Sequence, residues 1–95
     1  MIEKNRIIAI LKEEGYPEFM HEKTYQKILC FHETVATAFK LWVEKKQQPA
    51  LSVDGYSYEF LTRIMGMQPI GAFITLDWII REPAKAKQAL NKGIK

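Results

Sequence analysis

The candidates for acid–base or nucleophilic chemistry in this 95-residue sequence are its two histidines and its single cysteine: His21, His32 and Cys30. A thiol needs a neighbouring base to act as a nucleophile. On one continuous helix, Cys30 and His32 point about 200° apart, and His21 lies about 180° around from Cys30, so none of these pairs forms a dyad. His21 and His32 share a face but lie about 16 Å apart along the axis, too far to hold one metal ion.

The chemical motifs of common enzyme classes are missing from the sequence. It has no Gly-rich phosphate loop, no His-Glu-x-x-His zinc motif and no Gly-x-Ser-x-Gly nucleophile elbow. One cysteine excludes an intrachain disulfide framework and a multi-cysteine zinc site. We therefore expect a protein that is not an enzyme and that has no catalytic, cofactor-binding or metal-binding residues.

The elements that would position these side chains are helical. Alternating spacings of three and four residues place an apolar stripe on a long second helix, predicted over about 17–46. The stripe consists of Tyr25, Ile28, His32, Val35, Phe39 and Trp42. Unbroken, this helix would reach roughly 44 Å, whereas a globule of this size is about 25–30 Å across. We expect either a break near residues 21–24, where polar residues cluster, or a projecting helix that needs a partner.

The remaining helices are predicted from glycine and proline positions and from apolar spacing. They cover about 2–14, 57–65, 69–81 and 83–92. The helix at 69–81 is apolar nearly all round, which is typical of a buried central helix. Residues 50–56 fit either a hairpin turning at Asp54-Gly55 or, as we favour, a short extended arm, a turn and a helix capped by Ser57.

These elements predict an all-α fold, a small single-domain helical bundle of about five helices over residues 1–95. Residues 51–80 contain 17 hydrophobic residues and only four charged ones. Together with the long second helix, this is more apolar surface than a small monomer hides. We expect a protein-interaction or regulatory module that forms a homo-oligomer or binds a protein partner. The candidate interface residues are His32, Val35, Phe39, Trp42 and Trp78.

Nucleic-acid binding is the alternative function. The net charge of +3 hides a net +4 in residues 81–95, which include Lys95. The candidate anion contacts are Arg81, Lys85, Lys87 and Lys92. Residues 58–69 resemble the first half of a helix-turn-helix motif, but the helix that follows has no basic residue before Arg81 and carries Asp77. A phosphate backbone disfavours such a helix, so the interaction module remains the preferred hypothesis.

The chain is expected to be cytoplasmic, with no membrane contact. The longest apolar stretch, residues 69–80, is twelve residues long and contains Asp77, whereas a spanning helix needs about 20 residues. The apolar run at 7–11 is too short for the core of a signal peptide. A free cysteine is typical of a reducing compartment.

Overall fold

A computed structural model describes residues 2–93, so Lys95 of the basic tail lies outside the described residues. The helices are α1 (Lys4–Glu13), α2 (His21–Leu29), α3 (Glu33–Lys45), α4 (Pro69–Arg81) and α5 (Pro83–Gly93). A 3₁₀ turn (Glu18–Met20) precedes α2, strands β1 (Ser52–Val53) and β2 (Tyr56–Ser57) pair, and a π-helical segment (Phe60–Ile64) precedes α4. The all-α prediction is confirmed.

Helix α4 is the centre of the core, as its apolar sequence predicts. Its Ile70, Phe73, Leu76 and Ile79 are fully buried. The rings of Phe39, Trp42 and Tyr58 surround Phe73 at centroid distances of 5.2, 5.5 and 5.1 Å. Pro69 starts the helix because its missing N–H would have no partner in the first turn anyway.

The predicted long second helix is wrong: the chain leaves the helical conformation at Cys30–His32, and the break expected near 21–24 is absent. The 3₁₀ turn lies close to the break expected at 21–24, but α2 itself runs through those residues and ends at Leu29. The break that does occur, at Cys30–His32, was not predicted. In a continuous helix the His32 N–H would donate to Ile28, whereas here it donates to Asp77 Oδ1 of α4 at 2.7 Å. The longest dimension of the molecule is 36 Å, shorter than the unbroken helix would have been.

The segment from residue 50 to residue 65 combines the two alternatives. Ser52–Val53 pairs antiparallel with Tyr56–Ser57, so the predicted arm is one strand of a short hairpin. Asp54 and Gly55 both have positive φ, as a tight hairpin turn requires. Ser57 Oγ then accepts the Phe60 N–H at 3.0 Å and caps the helical segment, as predicted, although most of that segment is π-helical.

No helix within residues 2–93 is both long and apolar enough to cross a membrane.

Candidate functional site

Two of the five candidate interface residues are buried. Val35 is 0% exposed and Phe39 is 3% exposed, both in the core beneath α4. The helical spacing of these residues marks the face of α3 that packs into the core of its own chain. The assignment of Val35 and Phe39 to an interface is therefore wrong for this folded chain.

Among the other three candidates, the two tryptophans lie in different surface hollows. Trp42 is half-buried against Phe39 and Phe73 and lines a shallow hollow with Arg6 and Ile10. Trp78 is half-buried in a different cleft, and its indole N–H donates to Glu82 at 3.3 Å. The structure therefore does not bring the predicted interface residues together into one surface.

Both histidine side chains form hydrogen bonds with backbone groups. His32 is exposed and lies before α3, where its Nδ1 accepts the Thr34 N–H at 3.2 Å and caps the helix. His21 is buried, and its Nε2 bonds the Tyr16 carbonyl at 2.8 Å. Because Cys30 and His32 flank a break, the angles and distances argued for one continuous helix do not apply to them. No group of three His, Cys, Asp or Glu side chains within residues 2–93 is arranged to hold a metal ion.

Three of the four candidate anion contacts already have carboxylate partners. Arg81 pairs with Asp77 at 2.8 Å, Lys85 with Glu82 at 3.6 Å and Lys87 with Asp54 at 3.7 Å. Lys92 is exposed and has no ion pair within the described part of the chain. An anion approaching α5 would therefore compete with carboxylates of the same chain.

In a helix-turn-helix motif built from residues 58–81, α4 would be the recognition helix, but one broad face of α4 is buried. A recognition helix has to present one face to the major groove. Ile70, Ala72, Phe73, Leu76 and Ile79 of α4 are all buried in the core. Entry of α4 into a groove would require the core to be dismantled.

The ends of α2 and α4 form a cleft of about 480 Å³, which we call the Trp78 cleft. Its lining includes the apolar side chains of Phe31, Ile74 and Trp78 and the exposed residues Lys27, Cys30 and Arg81. An ionic clamp holds its two sides together. Arg81 pairs with Asp77 in α4 and also donates to the Cys30 carbonyl, while Asp77 accepts the His32 N–H.

A second surface feature lies where α1 turns into α2, and we call it the corner patch: Tyr16, Pro17, Phe19, Met20 and Met67. The Phe19 side chain is 84% exposed, more than any other large apolar side chain within residues 2–93. Pro17 and Met20, on either side of it in the chain, line a hollow of about 340 Å³ together with Tyr16 and Met67. An exposed aromatic ring therefore stands beside an apolar hollow.

The same hollow contains a half-buried carboxylate. Glu14 Oε1 accepts the Ile70 N–H at 3.0 Å, at the start of α4. Burial raises the pKa of the Glu14 carboxyl, against the opposing effect of that hydrogen bond. Burial also raises the pKa of the Tyr16 and Tyr58 hydroxyls, and the charge of Glu14 adds to both increases.

Phe19 and Asp77 are the residues that sequence reasoning missed. Phe19 is out of register with the apolar stripe of the following helix, which was a usable signal that it faces away from the core. Asp77 is the one acidic residue of α4, and a charged residue in an apolar helix is usually paired. Arg81, four residues later, was the available partner.

Comparison with known proteins yields no significant match to this chain among protein-family models, curated proteins or solved structures.

Proposed function

We propose that this chain is a cytoplasmic, non-catalytic interaction module that self-associates through the corner patch. The observation that carries the proposal is the exposed ring of Phe19 beside an apolar hollow lined by Pro17 and Met20. The non-catalytic part is supported by His21 and His32, both of which are engaged in backbone hydrogen bonds. The free Cys30 supports a reducing compartment.

The occupant favoured for the hollow is a second copy of the chain. A two-fold interface joins the same patch on both subunits, so it needs a projection and a recess on one surface. In the corner patch, Phe19 is the projection, and the hollow lined by Tyr16, Pro17, Met20 and Met67 is the recess. A two-fold axis beside Phe19 would place each ring in the hollow of the other copy.

The chemistry of the hollow suits an aromatic ring. Met20 and Met67 offer unbranched thioether side chains that adapt to an incoming ring and make favourable sulfur–aromatic contacts. Gly15 and Gly71 leave room at its edge, since they have no side chains. The turn at Met65–Met67 contributes Met67 to this hollow.

Sedimentation velocity over a concentration series tests the proposal. We expect a dimer to form by about tens of micromolar, and Phe19→Ser to return the chain to a monomer. Burying one phenylalanine ring contributes about 1.5–3 kcal/mol, and the ring occurs twice in the interface. The substitution should therefore weaken dimerisation by at least about a hundredfold.

The matched control is Ile64→Ser. Ile64 is 73% exposed on the π-helical segment and does not line the corner hollow. This variant should dimerise like the unmodified chain. A strict monomer throughout the series, or equal weakening by both substitutions, would contradict self-association through this patch.

A further inference from the structure

We propose that the Trp78 cleft binds a small apolar carboxylate. Its apolar body would lie against Phe31, Ile74 and Trp78, and its carboxylate would meet Lys27 and Arg81. The cleft shares no lining residue with the corner hollow, so this site is independent of the self-association proposed above.

The size and lining of the cleft suit a small molecule. Its volume of about 480 Å³ lies within the range of roughly 300–1,000 Å³ found for small-ligand pockets. Such pockets combine apolar and aromatic walls with a few polar groups that orient the ligand. Here Trp78 and Phe31 provide aromatic surface, and the polar lining consists of two cations (Lys27 and Arg81), two carboxylates (Asp77 and Glu82), Thr75 and Cys30.

Both carboxylates of the cleft are already satisfied. Asp77 accepts the His32 N–H at 2.7 Å and pairs with Arg81 at 2.8 Å. Glu82 accepts the Trp78 indole N–H at 3.3 Å and lies 3.6 Å from the Lys85 ammonium. Neither carboxylate is left to attract a cationic ligand.

The backbone acceptors at the end of α2 are also engaged. The carbonyls of Gln26 and Lys27 accept the Cys30 N–H, and that of Ile28 accepts the Phe31 N–H. The Cys30 carbonyl accepts from Arg81. Hydrogen-bond donors of the chain therefore already contact most carbonyls at the negative end of this helix dipole. Few acceptors are left there for the backbone of a bound peptide.

What remains at the edge of the cleft are donors. Lys27 makes no ion pair with any carboxylate in the described chain, and Arg81 uses Nε and Nη2 but not Nη1 in the contacts described above. The Lys27 ammonium and Arg81 Nη1 line the same cleft, and together they match one carboxylate, which charge-assisted hydrogen bonds would hold. A flat apolar monocarboxylate therefore complements both parts of the cleft.

Nuclear magnetic resonance titration with 1-naphthylacetate and 1-naphthylacetamide tests this site. The two probes have the same ring and differ in charge, and the indole N–H signals of Trp42 and Trp78 report on separate surfaces. We expect the acid to shift the Trp78 signal and to bind about fivefold to tenfold more tightly than the amide. Equal affinities, or no shift of Trp78 at about 10 mM acid, would overturn the proposal.

Two variants and one thiol measurement complete the test. Lys27→Met keeps the apolar stem and should reduce affinity for the acid about fivefold or more. Lys23→Met, on an exposed residue of the same helix that does not line the cleft, should leave it unchanged. The bound acid should also slow the reaction of Cys30, the single thiol, with a disulfide reagent. Equal losses in the two variants, or an unprotected Cys30 at saturating acid, would refute the assignment.

Discussion

Glu14 connects the end of α1 to the start of α4 through a single hydrogen bond. Its carboxylate accepts the Ile70 N–H, one of the first-turn amides that no helix satisfies internally. Because burial raises the pKa of this carboxyl, ionised Glu14 is less favourable in the folded chain than in the unfolded one. Burial and the hydrogen bond therefore act in opposite directions on the ionised carboxyl, and burial has the larger effect.

Glu14→Gln tests this balance, because its amide oxygen can still accept the Ile70 N–H. A carboxyl with a raised folded-state pKa contributes stability that is fully present below its ordinary pKa and is lost as pH rises through the raised value. We expect urea unfolding to show the unmodified chain gaining stability relative to Glu14→Gln as pH falls from 7 towards 4.

Glu44→Gln, which removes an exposed carboxylate on α3, controls for the loss of one negative charge. If the unmodified chain instead loses stability relative to Glu14→Gln as pH falls, folding lowers the pKa of Glu14, and this account is contradicted.

The break between α2 and α3 is stabilised by Asp77, a residue far away in sequence. Asp77 accepts the His32 N–H that a continuous helix would direct to Ile28, and it orients Arg81 towards the Cys30 carbonyl. The break then buries Phe31, whose ring meets Phe39 edge-on at 5.8 Å, and exposes His32. One carboxylate thus determines which of two adjacent side chains enters the core.

Asp77→Ala should therefore destabilise the fold by more than an ordinary surface pair would. The loss of a hydrogen bond to a charged group costs about 1.5–3 kcal/mol. Urea unfolding should show a loss in that range for Asp77→Ala.

Glu59→Ala is the matched control for Asp77→Ala. Glu59 also pairs with an arginine four residues later, but its side chain is 63% exposed against 15% for Asp77. It should cost no more than about 1 kcal/mol, as exposed pairs do. Similar losses in the two variants would mean that Asp77 is only a surface charge.

The sequence predicts elements well where the signals are local. Pro69 and Pro83 mark the starts of α4 and α5, and the apolar composition of α4 predicts its central place. The break at Cys30–His32 has no glycine or proline, and its cause lies 45 residues away in Asp77. The apolar spacing continues across it in the sequence, because Ile28 and Val35 are seven residues apart, the spacing of about two helical turns, and both are buried although they lie on different helices.

The surface sites could be predicted only in part, for the same reason. Trp78 and Arg81 were identified from residue type, and both line the Trp78 cleft. The corner patch was not predicted because Met67 and Tyr16 are brought together by tertiary packing. A periodicity argument finds core residues such as Val35 and Phe39 more readily than surface residues, since burial is what produces the period.

The folded chain as a whole hides most of the apolar surface that suggested a partner. The apolar surplus inferred from residues 51–80 is largely absorbed by α4 at the centre of the core. Among the large apolar side chains that remain exposed within residues 2–93, Phe19 is the most exposed, and Leu29, Leu41 and Ile64 lie outside the corner patch. The proposal of self-association therefore rests on one patch rather than on a projecting helix.

An isotope-filtered NMR experiment on mixed labelled and unlabelled chains tests this claim most directly, because it detects only contacts between copies. The corner patch predicts intermolecular signals between the Phe19 ring and the methyl groups of Met20 and Met67. A dimer whose intermolecular signals arise from other surfaces, with none from Phe19, would contradict the account.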